Sequence, residues 1–344
     1  MRHIAAEGNK REGFFGLLPH NQTRMSRPMD NGYGVRTAEG RDPMSDFQEQ
    51  RAAESLEQEL VIWKELNLRR SSNPFEFLYD VEPNREVLRY LLGRGVDLFS
   101  FISRDFITTR TLPYPRIKDN VALLEISTYE KWWNEQINKK TRNSVRKAEK
   151  SGIHVSVFDN GRAVPEGVFV GIWKIYNETP IRQERYFPHY GISLDSVKDS
   201  IEKVNRRIDI HCAYLGEELI GFSEVIYGER VAQISQILSM MKDFEKSPNN
   251  ALLSSIVRRC SELGYPFVIY GRMGLAHPTL TRFKESNGFR QFDVNRYFIP
   301  LTHKGAVAIK LGLHRRLKDT VPETIKYSLL PLFSFLSRNF KVEV

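Results

Sequence analysis

Between residues 208 and 301 the hydrophobic period switches repeatedly between two and about 3.6, and that alternation restricts the chain to a mixed α/β arrangement. Residues 208–215 and 219–227 are two alternating apolar runs joined across Gly216-Glu217-Glu218, a tight-turn composition, and a third run, 231–240, follows Gly228-Glu229-Arg230. A polar loop at 242–250 leads into a helical pattern at 251–263 that Gly264 closes. A short strand at 267–270, a short helix near 279–286 and a last strand at 289–300 complete the order.

The rest of the chain is read around that block. Residues 1–45 are rich in Gly, Asn, Arg and Pro without sustained periodicity and are expected to be disordered; Met25, Met29 and Met44 each offer an alternative start. Leu56, Leu60 and Trp63 predict a helix over 49–66. Short apolar runs at 75–79, 96–102 and 121–126, with a helical stretch at 84–92, suggest a small α/β lobe. Ser127-Thr128-Tyr129-Glu130 has capping-box spacing and opens a helix carrying Trp132, Trp133 and Ile137.

Next comes a basic helix ending at Gly152, with six cations between Lys139 and Lys150 and an apolar stripe of Val145 and Ala148. Such a helix is either a solvated surface or a contact for phosphate or RNA, in which case Arg142 and Arg146 are binding candidates. A helix at 165–176 presents Val168, Phe169, Ile172, Trp173 and Tyr176 on one face, and another follows at 193–204. The loop between them, 179–192, is dense in donors and rings, which makes Arg182 and Tyr186 acceptor-site candidates.

A net charge of +9 favours anionic partners such as phosphorylated cofactors, RNA or anionic lipid. The two cysteines, Cys212 and Cys260, give neither a disulfide framework nor metal-ligand spacing, so buried thiols in a reducing compartment are expected and no metal. No run approaches a spanning helix and no apolar signal core opens the chain, which predicts a cytoplasmic protein. Residues 303–344 combine a basic stretch with Leu/Phe-rich sequence; they either pack on the domain as C-terminal helices or make peripheral membrane contact.

Three motifs carry a family likeness over residues 125–301. They are Lys140-Thr141-Arg142-Asn143-Ser144-Val145-Arg146-Lys147-Ala148-Glu149-Lys150-Ser151-Gly152, then Ser247-Pro248-Asn249-Asn250-Ala251-Leu252-Leu253, then Leu280-Thr281-Arg282-Phe283-Lys284-Glu285-Ser286-Asn287-Gly288-Phe289. In this order they resemble the GNAT acyltransferase superfamily, in its Fem-like branch. The resemblance implies a GNAT-like mixed sheet flanked by helices over 127–302, a smaller α/β lobe over 46–126, and transfer of an acyl group to an amine. It implies acetyl-CoA or another acyl-CoA as donor, aminoacyl-tRNA as the alternative donor, and a small-molecule or cell-envelope amine as acceptor. A third alternative keeps the fold but only binds RNA or lipid.

The same resemblance assigns Lys284 to stabilising negative charge and places a pyrophosphate loop at Lys246, Ser247, Asn249, Asn250, Ala251 and Leu252. Asn249 stands where the superfamily usually has glycine; the competing reading is an ordinary helix cap. From the residues themselves, Glu224 lies among Ile220, Phe222 and Ile226, and desolvation there would raise its proton affinity, as suits a general base. Tyr270 ends a short central strand and is a candidate proton donor to the leaving group. Arg272 and His277 follow it, where substrate-facing loops follow strands.

Overall fold

A computed structural model of the chain describes residues 60–65, 67–73, 83–104, 106–107, 111–159, 164–182, 185–202, 207–274 and 278–315. The expected disordered segment 1–45, the run at 75–79 and residues 316–344 therefore lie outside the described residues.

The fold is mixed α/β, as the sequence predicts: a large mixed sheet flanked by helices. Its strands are β1 (Val61–Glu65), β2 (Leu68–Ser72), β3 (Leu98–Ile102), β4 (Arg116–Glu125), β5 (Ile153–Asp159), β8 (Ile208–Leu215), β9 (Glu218–Tyr227), β10 (Val231–Ser239), β11 (Phe267–Ile269) and β12 (Arg290–Pro300). The order across the sheet is β1-β2-β3-β12-β4-β11-β10-β9-β8-β5. Among the described strands, only the β2–β3 and β10–β11 pairs are parallel. A separate two-stranded ribbon joins β6 (Ile181–Arg182) to β7 (Arg185–Tyr186). β4, from the segment read as an N-terminal lobe, is hydrogen-bonded between β11 and β12, so residues on both sides of position 126 share one sheet.

The helices are α1 (Arg85–Gly93), α2 (Lys139–Lys150), α3 (Glu166–Tyr176), α4 (Leu194–Glu202), α5 (Pro248–Glu262), α6 (Pro278–Ser286) and α7 (His303–Lys310). α5 buries Leu252, Leu253, Ile256 and Val257 against Ile220, Val225, Ile234 and Ile237 on one sheet face. α3 and α4 cover the other face with Phe169, Ile172, Ile175, Val197 and Ile201 over Ile210, Cys212 and Phe222. α3 comes so close that a Cβ on Gly171 would sit 2.4 Å from Leu219 Cδ2. Both cysteines are free and buried, as expected.

Several local expectations change. Val61–Glu65 is a strand, not the end of a helix over 49–66: it pairs with β2 around a turn at Asn67, whose φ is +62°. The β-branched and aromatic run Val61-Ile62-Trp63 suits that pleated edge. Thr128, not Ser127, caps the next helix by accepting from the Lys131 amide at 3.1 Å, and after one turn the chain widens into a π-helix, Trp132–Gln136. Trp173 turns 36% of its surface to solvent, while Ile175 takes the buried place expected for it. A short 3-10 helix, Met241–Lys246, replaces the polar loop, and α5 begins at Pro248, three residues early, because proline is well suited to a first helical position.

Candidate active site

The sheet has one internal gap. β10 pairs with β11 only over Val231–Gln233 against Phe267–Ile269, then continues to Ser239 with β9 alone. A bulge at Ser235 twists it away. Beyond Ile269 the chain stays with β4: the Tyr270 amide donates to the Ala122 carbonyl at 3.0 Å, and the Ala122 amide to the Gly271 carbonyl at 2.8 Å. The Ile237 backbone, across the opening, acts on the Tyr270 hydroxyl against the effect of burial. Burial holds that phenol above its ordinary range.

On the α5 face, Lys284 is 3% exposed. Its ammonium donates to the Arg272 carbonyl at 2.8 Å and lies 4.6 Å from the centre of the Tyr270 ring. Desolvation lowers its pKa to about 8, so it is still mostly a cation at neutral pH. Arg272 does not point to an open site. It makes a two-pronged pair with Asp119, Nε to Oδ1 at 2.7 Å and Nη2 to Oδ2 at 2.9 Å, and Arg296 Nε reaches the same carboxylate at 3.0 Å. Burial alone would raise the Asp119 pKa, but the two guanidinium groups hold it at about 2. His277 lies outside the described residues.

On the opposite face, Glu224 is 7% exposed, and burial raises its pKa to about 7. Gln236 Nε2 donates to Glu224 Oε1 at 2.9 Å and to the Tyr176 hydroxyl at 2.5 Å. Tyr176 is stacked on His189, 4.9 Å between ring centres. Phe222 shares this face with Glu224, but Ile220 does not: the register against β8 slips between Ala213 and Tyr214, so Ile220 is an extra residue turned towards α5. Period-two counting had put both on one side, and a bulge is invisible to such counting.

Arg182 is tied into the scaffold rather than left for a ligand. It donates to the carbonyls of Ser239 (2.8 Å) and Ile175 and pairs with Glu178 at 3.3 Å, while the other Glu178 contacts cap the amides of Met241 and Lys242. Tyr186 is described only as backbone of β7.

The loop at 246–252 commits most of its donors within the protein. Ser247 adopts a left-handed conformation, φ +65°, and its carbonyl takes the amides of Asn250 (3.1 Å) and Ala251 (3.4 Å); its own amide donates to Phe244. Pro248 has no N–H, and Leu252 is already inside the helix ladder. Lys246 is paired with the buried carboxylate of Asp243 at 2.5 Å. Asn249 keeps a buried side-chain oxygen, Oδ1, without a partner, an acceptor where a phosphate needs donors.

α2 behaves in two halves. Arg142 is spent on the carbonyls closing the π-helix, Trp133 at 2.9 Å and Ile137 at 2.6 Å, and Arg146 lies over the Trp133 ring. Lys139, Lys140, Asn143, Ser144 and Lys147 instead line an open surface recess of about 500 Å³. Among the described residues, no group of three His, Cys, Asp or Glu could hold a metal ion, and no helix is long and apolar enough to cross a membrane.

Gln236 and Asp119 carry no sequence signal as site residues, and Tyr176 reads there only as part of an apolar helix face. Gln236 faces Glu224 only because of the Ser235 bulge, and Asp119 meets Arg272 from a strand more than a hundred residues away, so neither leaves a local signal.

No family model and no curated protein matches the chain. Solved structures similar to it include L-PGS from Bacillus licheniformis, at 14% identity, 80% of this chain, 98% of that one and a TM-score of 0.46. FemX is similar at 12% identity, 69% of this chain, 83% of that one and a TM-score of 0.44. A tandem GNAT protein from the clavulanic acid biosynthesis pathway is similar at 10% identity, 68% of this chain, 75% of that one and a TM-score of 0.38.

Proposed function

We propose that the chain is an acyltransferase that moves an acyl group from a thioester or ester to an amine across the gap between β10 and β11. The observation that carries this reading is the line Glu224–Gln236–Ile237–Tyr270–Lys284. Adjacent residues of β10 connect the two candidate groups: the Gln236 side chain holds Glu224 on one face, and the Ile237 backbone lies by the Tyr270 hydroxyl, whose ring carries Lys284, on the other.

The amine approaches from the α3 face and its nitrogen attacks the donor carbonyl. Glu224, with a pKa of about 7, takes the proton the amine loses. The carbonyl carbon passes its bond to the leaving sulfur or oxygen, and the Lys284 ammonium stabilises the negative charge that develops. No covalent enzyme intermediate is required. Tyr270 suits an alkoxide leaving group better than a thiolate: a phenol held above its ordinary range transfers its proton uphill to a thiolate, whose conjugate acid sits near ~8.5.

Acyl-CoA is the superfamily's usual donor, although the 246–252 loop commits the amides of Ser247, Asn250 and Ala251 within the protein. Aminoacyl-tRNA is the second donor, favoured by the Lys139, Lys140 and Lys147 recess. The decisive assay supplies acetyl-CoA or charged tRNA with a panel of primary amines and follows thiol release or deacylation. Turnover that falls by about 10²-fold or more in Glu224→Gln supports the reading. Absence of transfer from either donor to any amine, or full turnover in Glu224→Gln, overturns it.

A further inference from the structure

We propose that Gln236 is the positioning residue for Glu224, fixing one carboxylate oxygen so that the other faces the incoming amine; this rests on the reading of Glu224 as the base. Gln236 has two amide hydrogens, and both are committed, one to Glu224 Oε1 and one to the Tyr176 hydroxyl oxygen. A carboxylate can only accept, so the amide must turn its nitrogen inwards, and the Tyr176 oxygen, accepting from the same nitrogen, must send its own proton elsewhere.

The frame around this amide is rigid. Tyr176 is stacked on His189 and meets Phe222 edge-on at 5.5 Å. The Ser235 bulge turns Gln236 to this face, and the Ser223 hydroxyl anchors the Gln236 carbonyl at 2.7 Å. Oε1 of Glu224 is therefore locked, and Oε2 is left for a substrate N–H.

The hydrogen bond also sets when the base is available. Donation to the ionised carboxylate opposes the effect of burial. The groups facing Glu224 are few: Tyr176 from α3 and Gln236 from β10, with Arg182 and Glu178 paired to each other beyond Tyr176, His189 stacked on its ring, and apolar Ile210 opposite on β8. No cation touches the carboxylate among the described residues, so the amide is its chief stabiliser.

The test uses full-length protein labelled with ¹³C-glutamate, with the Glu224 carboxyl signal identified by its loss in Glu224→Gln. Gln236→Met keeps the shape and removes the donor; Gln236→Asn keeps the amide and removes its reach. Both are expected to move the Glu224 midpoint upwards by about one to two pH units. Tyr176→Phe, which leaves the Gln236–Glu224 bond in place, is expected to move it much less. Midpoints unchanged in both Gln236 variants, or shifted equally by Tyr176→Phe, overturn the proposal. The reading of Glu224 as base fails separately: Glu224→Gln would keep full amine transfer while the Gln236 variants still shift the titration.

Discussion

The Lys284 ammonium sits 4.6 Å from the centre of the Tyr270 ring and donates at 2.8 Å to the Arg272 carbonyl, with 3% of the residue exposed. The ring face and one carbonyl do not replace a full hydration shell, which is why desolvation lowers the lysine to about 8. The proposed charge-stabilising role of Lys284 accounts for a cation kept at such a cost.

Stability should report that cost. The folded pKa of Lys284 lies below its ordinary value, so the penalty is absent above pH 10.5, builds as pH falls towards 8 and is complete below it. Lys284→Met is expected to be more stable than wild type by about 3 kcal/mol at pH 7, with the gap closing towards pH 10.5, as read by urea unfolding across that range. Acyl transfer by the variant should be lost. A variant equally stable at both ends, or fully active, would remove Lys284 from the site.

Glu224 gives the opposite pH window. Its folded pKa, about 7, is above its ordinary value, so its contribution is intact below pH 4.5 and is lost as pH rises through 7. Glu224→Gln should therefore match wild type near pH 4.5 and exceed it by about 3 kcal/mol at pH 8. Thermal or denaturant melts at the two pH values decide it.

Asp119 neutralises two guanidinium groups, and Arg296 is buried. Asp119→Ala removes the carboxylate that both guanidinium groups share, and a loss of about 3–5 kcal/mol is expected, against a smaller loss for Arg272→Ala, whose side chain is more than a third exposed. The wild-type contribution persists above pH 3.8 and fades only as pH falls through about 2. Chemical denaturation of both variants makes the comparison.

The two halves of α2 should separate under substitution. Arg142→Ala removes donors to the Trp133 and Ile137 carbonyls and is expected to destabilise the fold by about 1–3 kcal/mol. Lys140→Gln combined with Lys147→Gln touches no such bond and should leave stability unchanged while flattening the salt dependence of tRNA retention. Filter binding over a salt series checks this; identical slopes would make the recess an ordinary solvated surface.

Much of the strand and helix order was legible because it depends on period alone, as in the β8–β9 hairpin across Gly216 and the start of β10 at Val231. What period cannot carry is the insertion of single residues. The extra residues at Ile220 and Ser235 reverse the facing of everything after them, so Glu224 was recognised as enclosed while its neighbour was misassigned and its partner Gln236 missed. Charge was misleading in the same way. Arg142, Arg182, Lys246 and Arg272 look available in a linear sequence, yet each finds carbonyls or carboxylates brought to it by distant or folded-back chain.

β11 is three residues long, and among the described strands it is the one whose ladder joins the five strands on its β4 side to the four on its β10 side. Phe267, Val268 and Ile269 thus form a narrow seam through which any shear between the two wings of the molecule must pass. Amide exchange along this seam would reveal whether the wings breathe against one another, and a substitution such as Val268→Pro, by removing a rung there, would be felt by both wings at once.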